Sequence, residues 1–452
     1  MVHQYKNNGY NIVLDVCSGA VHVVDDVTYD VISLYRQVDP ETMKEKLPYG
    51  PEEIGEACAE VEELIKEGLL FTEDTYRDYI EEVNNRKTVV KALCLHIAHD
   101  CNLACRYCFA GEGEYKGSRS LMSLEVGRAA LDFLVASSGN RRNLEVDFFG
   151  GEPTLNFQVV KEIVAYGREL EKKHDKHFRF TLTTNGLLVN DEIMEFCNRE
   201  MDNVVMSIDG RKEVHDYMRP TRGGKPSYDV ILPKFLSFAQ SRNQKRYYVR
   251  GTFTRRNLDF SEDVFHLADL GFEQISMEPV VGLPEETYSI REEDLPVIFR
   301  EYDKIAREII HREKEGRPFN FFHFMIDLTG GPCVAKRLSG CGSGTEYLAV
   351  TPQGDLYPCH QFVGEEEFRV GDVFHGIDRR DICSSFRACN VYTKKKCREC
   401  FARFYCSGGC AANAWKFHGD INEACDLSCE MERKRVECAI MIKAALAEER
   451  EN

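Results

Sequence analysis

The chain of 452 residues is 43% hydrophobic and carries 58 Lys and Arg against 75 Asp and Glu, a net charge of −17. That length exceeds what one hydrophobic core usually serves and predicts two or three domains. The negative charge argues against a broad nucleic-acid surface, which needs clustered cations to displace counterions from phosphate.

The first 85 or so residues read as a small unit. Apolar alternation runs through Tyr10 to Val16 and again through Val21 to Val24, with a Ser18-Gly19 turn between, which predicts a hairpin. Helical patterns follow at Val31, Ile32 and Tyr35, and then at Ile54, Cys58, Val61, Leu64 and Ile65, with Gly68 placed as a terminator. A hairpin with three helices suits a winged-helix-like module (1–85), and the charged stretch from Glu73 to Thr88 reads as a helical linker.

From about residue 90 to 315 strand and helix patterns alternate. Strands are expected near Leu93–His96, Leu144–Phe149, Phe178–Thr183, Val204–Ile208, Tyr247–Thr254 and Gln274–Glu278. Between the first two, Val126, Ala130, Phe133 and Leu134 follow a Ser123 cap at helical spacing. Six β/α units predict an α/β fold with a parallel sheet, two units short of a closed eight-stranded barrel. From residue 330 to 452 the texture changes: 12 of the chain's 19 cysteines lie between Cys333 and Cys438. No stretch approaches about 18 uninterrupted apolar residues, and the N-terminus lacks the apolar run of a secretory signal. The expectation is a cytoplasmic protein with no membrane span, in which clustered thiols mean metal rather than disulfides.

Just after the first strand of the sheet stand Cys101, Cys105 and Cys108, a C-x3-C-x2-C spacing followed by Phe109. Three thiolates on a loop can hold three corners of a cubane iron-sulfur cluster and leave one iron open, whereas four would close it. A zinc site completed by His96 or His99 fits the same spacing. The other predicted strand ends bring Gly150-Gly151-Glu152-Pro153, Thr183-Thr184-Asn185-Gly186 and Ser207-Ile208-Asp209-Gly210 to the expected ligand face of a parallel sheet.

On Cys101, Cys105, Cys108 and the Gly-Gly-Glu-Pro run, residues of about 95 to 315 resemble the radical SAM superfamily. The resemblance implies a partial (β/α)6 barrel and a 4Fe-4S cluster whose open iron chelates the amino and carboxylate groups of S-adenosylmethionine (SAM). It further implies one-electron cleavage of SAM to a 5'-deoxyadenosyl radical that abstracts hydrogen from carbon. By motif, Gly151 and Glu152 should meet the methionyl amine, and Ser207 and Asp209 should contact SAM. Phe109, Gly150 and Asn185 are further expected contacts. His215-Asp216-Tyr217-Met218-Arg219 resembles the family's HDxxR segment, in which the arginine pairs with the methionyl carboxylate.

Cys341, Cys359, Cys397, Cys400, Cys406, Cys410, Cys425 and Cys429 together resemble the SPASM domain, a C-terminal extension of peptide-modifying radical SAM enzymes. In that pattern Cys341, Cys359 and Cys410 belong to a first auxiliary 4Fe-4S cluster, with Cys333 the candidate fourth ligand. Cys397, Cys400, Cys406 and Cys429 belong to a second, with Cys425 as the alternative last ligand. Three 4Fe-4S clusters are thus expected in all, and zinc knuckles are the competing reading. Cys17, Cys58, Cys94, Cys197, Cys383, Cys389 and Cys438 are read as packing residues.

The N-terminal unit resembles the leader-peptide recognition element of peptide-modifying enzymes. The whole chain is most similar to maturases of small cysteine-rich SCIFF peptides, which join a cysteine sulfur to a carbon of another residue. This implies as partners a ribosomally made precursor peptide with a leader and a low-potential electron donor such as a ferredoxin or flavodoxin, with no nucleic acid and no membrane. A formylglycine-forming sulfatase maturase is the alternative enzyme, although His360 stands where that family has an aspartate base after its second SPASM cysteine. A non-catalytic iron-sulfur electron carrier is the alternative from another class.

Overall fold

Three antiparallel strands open the chain, β1 (Val2–Asn7), β2 (Tyr10–Asp15) and β3 (Val21–Val24), paired in that order. The structure, a computed structural model, describes residues 1–86, 89–328 and 334–451. Alternation along β2 decides what each face meets. Val13 packs with Val31, Ile32, Ile54 and Val61 of the helices Asp26–Leu34 and Pro51–Lys66, while Ile12 and Leu14 turn into the main core. Asp25 caps the first of these helices through the Thr28 N–H, and Gly68 ends the second region at φ +73°. The expected hairpin is therefore part of a three-stranded sheet. β1 escapes sequence reading because His3, Gln4, Lys6 and Asn7 break its apolar pattern. Its partner is remote: the Tyr5 hydroxyl donates to Glu437 O at 2.9 Å, and His3 Nε2 meets Glu437 Oε1 at 2.9 Å on the helix Asp426–Glu451.

The central sheet is built from β4 (Ala92–His99), a two-residue β5 (Ser120–Leu121) antiparallel to its end, then β6 (Asn143–Gly150), β7 (His177–Thr184), β8 (Asn203–Ser207), β9 (Tyr247–Phe253) and β10 (Gln274–Pro279). β4 and β6 to β10 are parallel neighbours in chain order, the six strands expected. The sheet stays open. β11 (Asn320–Phe321) adds in parallel beyond β10, and β12 (Tyr347–Val350) adds in parallel to the far side of β4. β13 (Asp355–Tyr357), β14 (Gly371–Asp372) and β15 (Gly376–Ile377) extend that edge antiparallel. The β12–β13 hairpin of the cysteine-rich region is continuous with the barrel sheet through the pairing of Tyr347 to Val350 with Ala92 to Leu95.

Phe148, Phe178 and Phe180 are fully buried between sheet and helices, each contributing about 1.5–3 kcal/mol through burial. Ser123 Oγ accepts the Val126 N–H at 3.2 Å and caps the helix Leu124–Ser137, as its pattern predicts. The helix Leu295–Lys314 packs along the C-terminal helix Asp426–Glu451. Among the described residues no helix is long and apolar enough to cross a membrane.

Candidate active site

The carboxyl ends of the parallel strands surround a cavity of about 410 Å³, and Cys101, Cys105 and Cys108 line one wall. Their loop is fixed by backbone pairing rather than by its own apolar content: the Ala104 and Arg106 N–H groups donate to Pro220 O and Met218 O at 2.8 and 2.9 Å. Asp100 anchors its start, accepting the Cys101 N–H at 2.9 Å and Arg222 Nη2 at 2.6 Å. Cys101 Sγ accepts from the Leu103 N–H at 3.5 Å and from Asn185 Nδ2 at 3.6 Å. Burial pushes the Cys101 and Cys105 thiols up to about 12, and the neighbouring thiols add to it. Thiolates here need a metal to be stable, which fits a cluster held by this triad. His96 Nδ1 and His99 Nε2, the zinc alternative's completing ligands, instead share a 3.0 Å hydrogen bond. Among the described residues no three His, Cys, Asp or Glu side chains converge on a single-ion site.

The two glycines of the second strand end serve the cysteine loop. The Gly151 N–H donates to Ala98 O at 2.7 Å and the Glu152 N–H to Asp100 O at 2.8 Å. A Cβ on Gly151 would stand 2.1 Å from Asp100 O, and one on Gly150, at φ +118°, 2.4 Å from Ala98 O. Glu152 is buried, its Oε1 accepting from the Thr154 N–H (3.0 Å) and from Thr184 Oγ1 (2.9 Å), its Oε2 from the Asn185 N–H (2.7 Å). Burial holds its carboxyl above the usual range while these donors oppose the shift. One lone pair of Oε2 is left for a ligand ammonium.

Phe109, Gly150, Gly151, Glu152, Asn185, Ser207 and Arg219 all line the cavity. Asp209 does not. It is fully buried and accepts from the Tyr107 hydroxyl at 2.7 Å, Arg219 Nε at 3.0 Å and the Thr252 N–H at 2.9 Å. Its carboxylate therefore aims Arg219 at the cavity. His215 lies behind it, Nδ1 accepting the Asp209 N–H at 3.2 Å and Nε2 sharing a 3.0 Å hydrogen bond with Ser227 Oγ, and burial drops its imidazole to about 4.

The second cysteine field separates into two groups. Cys410 lines the same cavity as the triad, Cys359 is buried, and Cys341 is exposed. Burial raises the Cys359 thiol first, and Cys410 and Cys341 raise it further. In the other group burial raises Cys429 to about 11, with Cys397 and Cys400 adding, and Cys406 is raised by burial, Glu432, Cys429, Cys397 and Cys400. Cys425 raises the Cys429 thiol as well, and its Sγ accepts from Ser428 Oγ at 3.4 Å. Cys425 and Cys429 both line the cavity beside Cys406, and Cys333 lies outside the described residues. Cys17, Cys94, Cys197, Cys383 and Cys438 are buried, while Cys58 and Cys389 are partly exposed.

Two residues of this cavity, and one outside it, carried no sequence signal strong enough to single them out. Tyr107 sits inside the cysteine motif but reads as filler. Glu278 follows an apolar strand, and its tie to Arg250 at 3.3 Å comes only from the neighbouring strand. Lys394 is hidden in a run of three lysines.

A parallel, open α/β barrel that gathers a cysteine triad and a Gly-Gly-Glu-Pro turn at its carboxyl face is the radical SAM fold. Residues 95–235 match the model of the radical SAM superfamily. An uncharacterized protein of Methanocaldococcus jannaschii is 31% identical over 191 residues, 42% of this chain and 62% of that one, so the match spans less than two thirds of that relative. The cysteine-type anaerobic sulfatase-maturating enzyme of Clostridium novyi is 24% identical over 70% of this chain and 86% of its own. Among solved structures, native anSMEcpe with bound AdoMet superposes with a TM-score of 0.66 at 18% identity, over 79% of this chain and 99% of that one. Streptococcus suis SuiB bound to S-adenosylmethionine superposes at 0.54 and 17%, over 95% of this chain and 98% of that one. The matched region is that of a superfamily whose members use SAM and a 4Fe-4S cluster.

Proposed function

We propose that this enzyme is a peptide maturase that forms an intramolecular thioether in a ribosomally made, cysteine-rich peptide of the SCIFF type. In this reading residues 1–85 recognise the leader, 90–315 form the radical SAM barrel, and 330–452 form the SPASM domain. The observation that carries the reading is the N-terminal sheet. β3 pairs with β2 on one side, and its other edge faces away from the sheet order, a template on which an extended leader can add a strand. The wider coverage of this chain by SuiB, 95% against 79% by anSMEcpe, supports an architecture with this additional unit, and SuiB has been solved with precursor peptide SuiA.

When bound, SAM and the clusters would supply hydrogen abstraction from carbon and take up the surplus electron. The chain's own residues do the rest. Arg219, held by Asp209, offers its guanidinium to a carboxylate, and Glu152 offers Oε2 to an ammonium. Phe109, Phe149 and Val280 wall the cavity with apolar surface that excludes water. His360 lines the same cavity, and burial drops its imidazole to about 4, so it is neutral and a weak base at physiological pH. The product has lost the hydrogens of one C–H and one S–H bond and gained one C–S bond.

Incubation of a cysteine-rich precursor peptide with reduced enzyme and SAM should give a product lighter by two hydrogen atoms whose cysteine resists alkylation. An unchanged peptide together with cleaved SAM would turn the reading toward another substrate. Formylglycine in a sulfatase peptide would turn it toward sulfatase maturation, the reading that the Clostridium novyi relative favours. Anaerobically reconstituted protein should hold about twelve irons, falling to about eight in a Cys101→Ala, Cys105→Ala, Cys108→Ala variant.

A further inference from the structure

Lys394 belongs to the run Lys394-Lys395-Lys396 that precedes Cys397, yet it differs from its neighbours. Lys395 and Lys396 are exposed, while Lys394 is 2% exposed. The turn before it is locked inward: Asn390 Oδ1 accepts the Tyr392 and Thr393 N–H groups at 2.9 and 3.2 Å, and Asn390 O accepts the Lys394 N–H at 3.3 Å. The side chain lines two cavities at once. One, of about 490 Å³, contains Cys341 and Cys389; the other, of about 270 Å³, contains Cys406, Cys410 and Cys429.

A buried ammonium is strongly unfavourable unless a counter-charge compensates it. Among the described residues no carboxylate lies within ion-pair distance of Lys394. Burial raises the thiols of Cys389, Cys397 and Cys410, and the nearby Lys394 ammonium opposes that rise in all three. Cys410 belongs to the first cysteine group of the C-terminal region and Cys397 to the second. The lysine therefore stands between the two, with thiols where a carboxylate would be expected.

We propose that Lys394 is the shared counter-cation of both auxiliary thiol groups, a positioning residue whose fixed positive charge stabilises their anionic, metal-loaded state and raises the reduction potentials of the clusters they hold. The inference rests on the cluster reading of the second cysteine field. A thiolate-ligated cluster gains a further negative charge on reduction, so a cation held beside it favours the reduced form. Lys394 does not line the cavity of the Cys101, Cys105 and Cys108 triad, which leaves that site as an internal reference.

The test is an EPR-monitored redox titration of the anaerobically reconstituted full-length chain, wild type against Lys394→Met, Lys394→Gln and Lys394→Arg, with iron counted in each. The expected result is a move of the auxiliary midpoints to more negative potential in the Met and Gln variants, retention in the Arg variant, and an unmoved SAM-cluster midpoint. Loss of auxiliary iron from both neutral variants but not from Lys394→Arg would support the same charge role. Auxiliary midpoints unmoved in Lys394→Met, a SAM-cluster midpoint that moves equally, or iron lost from all three variants would overturn the inference alone. A wild-type chain holding only about four irons would overturn the cluster reading and this inference with it.

Discussion

At the scale of single residues, the site depends on Asp209 more than its sequence position suggests. A fully buried carboxylate with three donors around it is an organiser, and its removal leaves Arg219 uncompensated beside Cys105. Asp209→Asn should destabilise the fold by about 3–5 kcal/mol, the range for breaking a buried pair. It should also weaken SAM binding at least about tenfold, or about 1.4 kcal/mol. Thermal melting and equilibrium dialysis of anaerobic protein check the two together, and unchanged SAM affinity would remove Arg219 from the binding site. His215 makes a second prediction. Burial lowers its imidazole from 6.5 to about 4, so between those values the unfolded chain binds more protons than the folded one. Its contribution to stability is thus full above about pH 6.5 and falls as pH drops toward 4, by at most about 1.4 kcal/mol per unit. His215→Asn should flatten the acid limb of a Tm-against-pH plot, and an identical slope in wild type and variant would contradict this assignment.

At the scale of elements, the Gly-Gly-Glu-Pro turn and the cysteine loop act as one piece. The Gly151 N–H bonds to the end of β4, and a methyl group there has no room beside Asp100 O. Gly151→Ala should cost about 1–3 kcal/mol, the usual range for overpacking, and reduce the iron bound at the triad without touching that of the C-terminal region. Iron counted per chain before and after the substitution reads this directly. The motif was legible in the sequence and its glycines line the cavity, but their backbone contact between two strand ends left no mark in the sequence. The barrel strands were legible because β4 is a continuous buried run, while β6, β7, β8 and β9 alternate buried residues with half-buried or exposed ones. β1 and β11 were not: β1 takes its burial from a helix more than 400 residues away, and β11 is two residues long. Of the site, the cysteines and turn residues announced themselves by spacing. Asp209's role did not, because Tyr107, Arg219 and Thr252 converge on it from three separate elements.

At the scale of the whole molecule, the net charge is unevenly placed: residues 1–86 hold 7 Lys and Arg against 19 Asp and Glu, and so carry 12 of the 17 net negative charges. The body that carries the cavity is nearly neutral by comparison. The acidic unit is fastened to the C-terminal helix by β1, which leaves β3 at the opposite edge of its sheet. The Asp15 N–H donates to Ala20 O, and antiparallel ladders alternate, so His22 and Val24 bond inward to β2 while Val21 and Val23 turn their backbone groups outward. Val23 is also 40% exposed, so its side chain contributes little to the core. Val23→Pro removes one outward N–H, and an edge strand tolerates the change. If the leader adds to this edge, the variant should bind precursor peptide about five- to tenfold more weakly, the value of one lost hydrogen bond. Its melting temperature and iron content should remain close to wild type, and kcat at saturating peptide should be retained while KM rises. Equal peptide affinity in the variant would move leader recognition off β3 and leave the N-terminal unit as a structural buttress on the C-terminal helix.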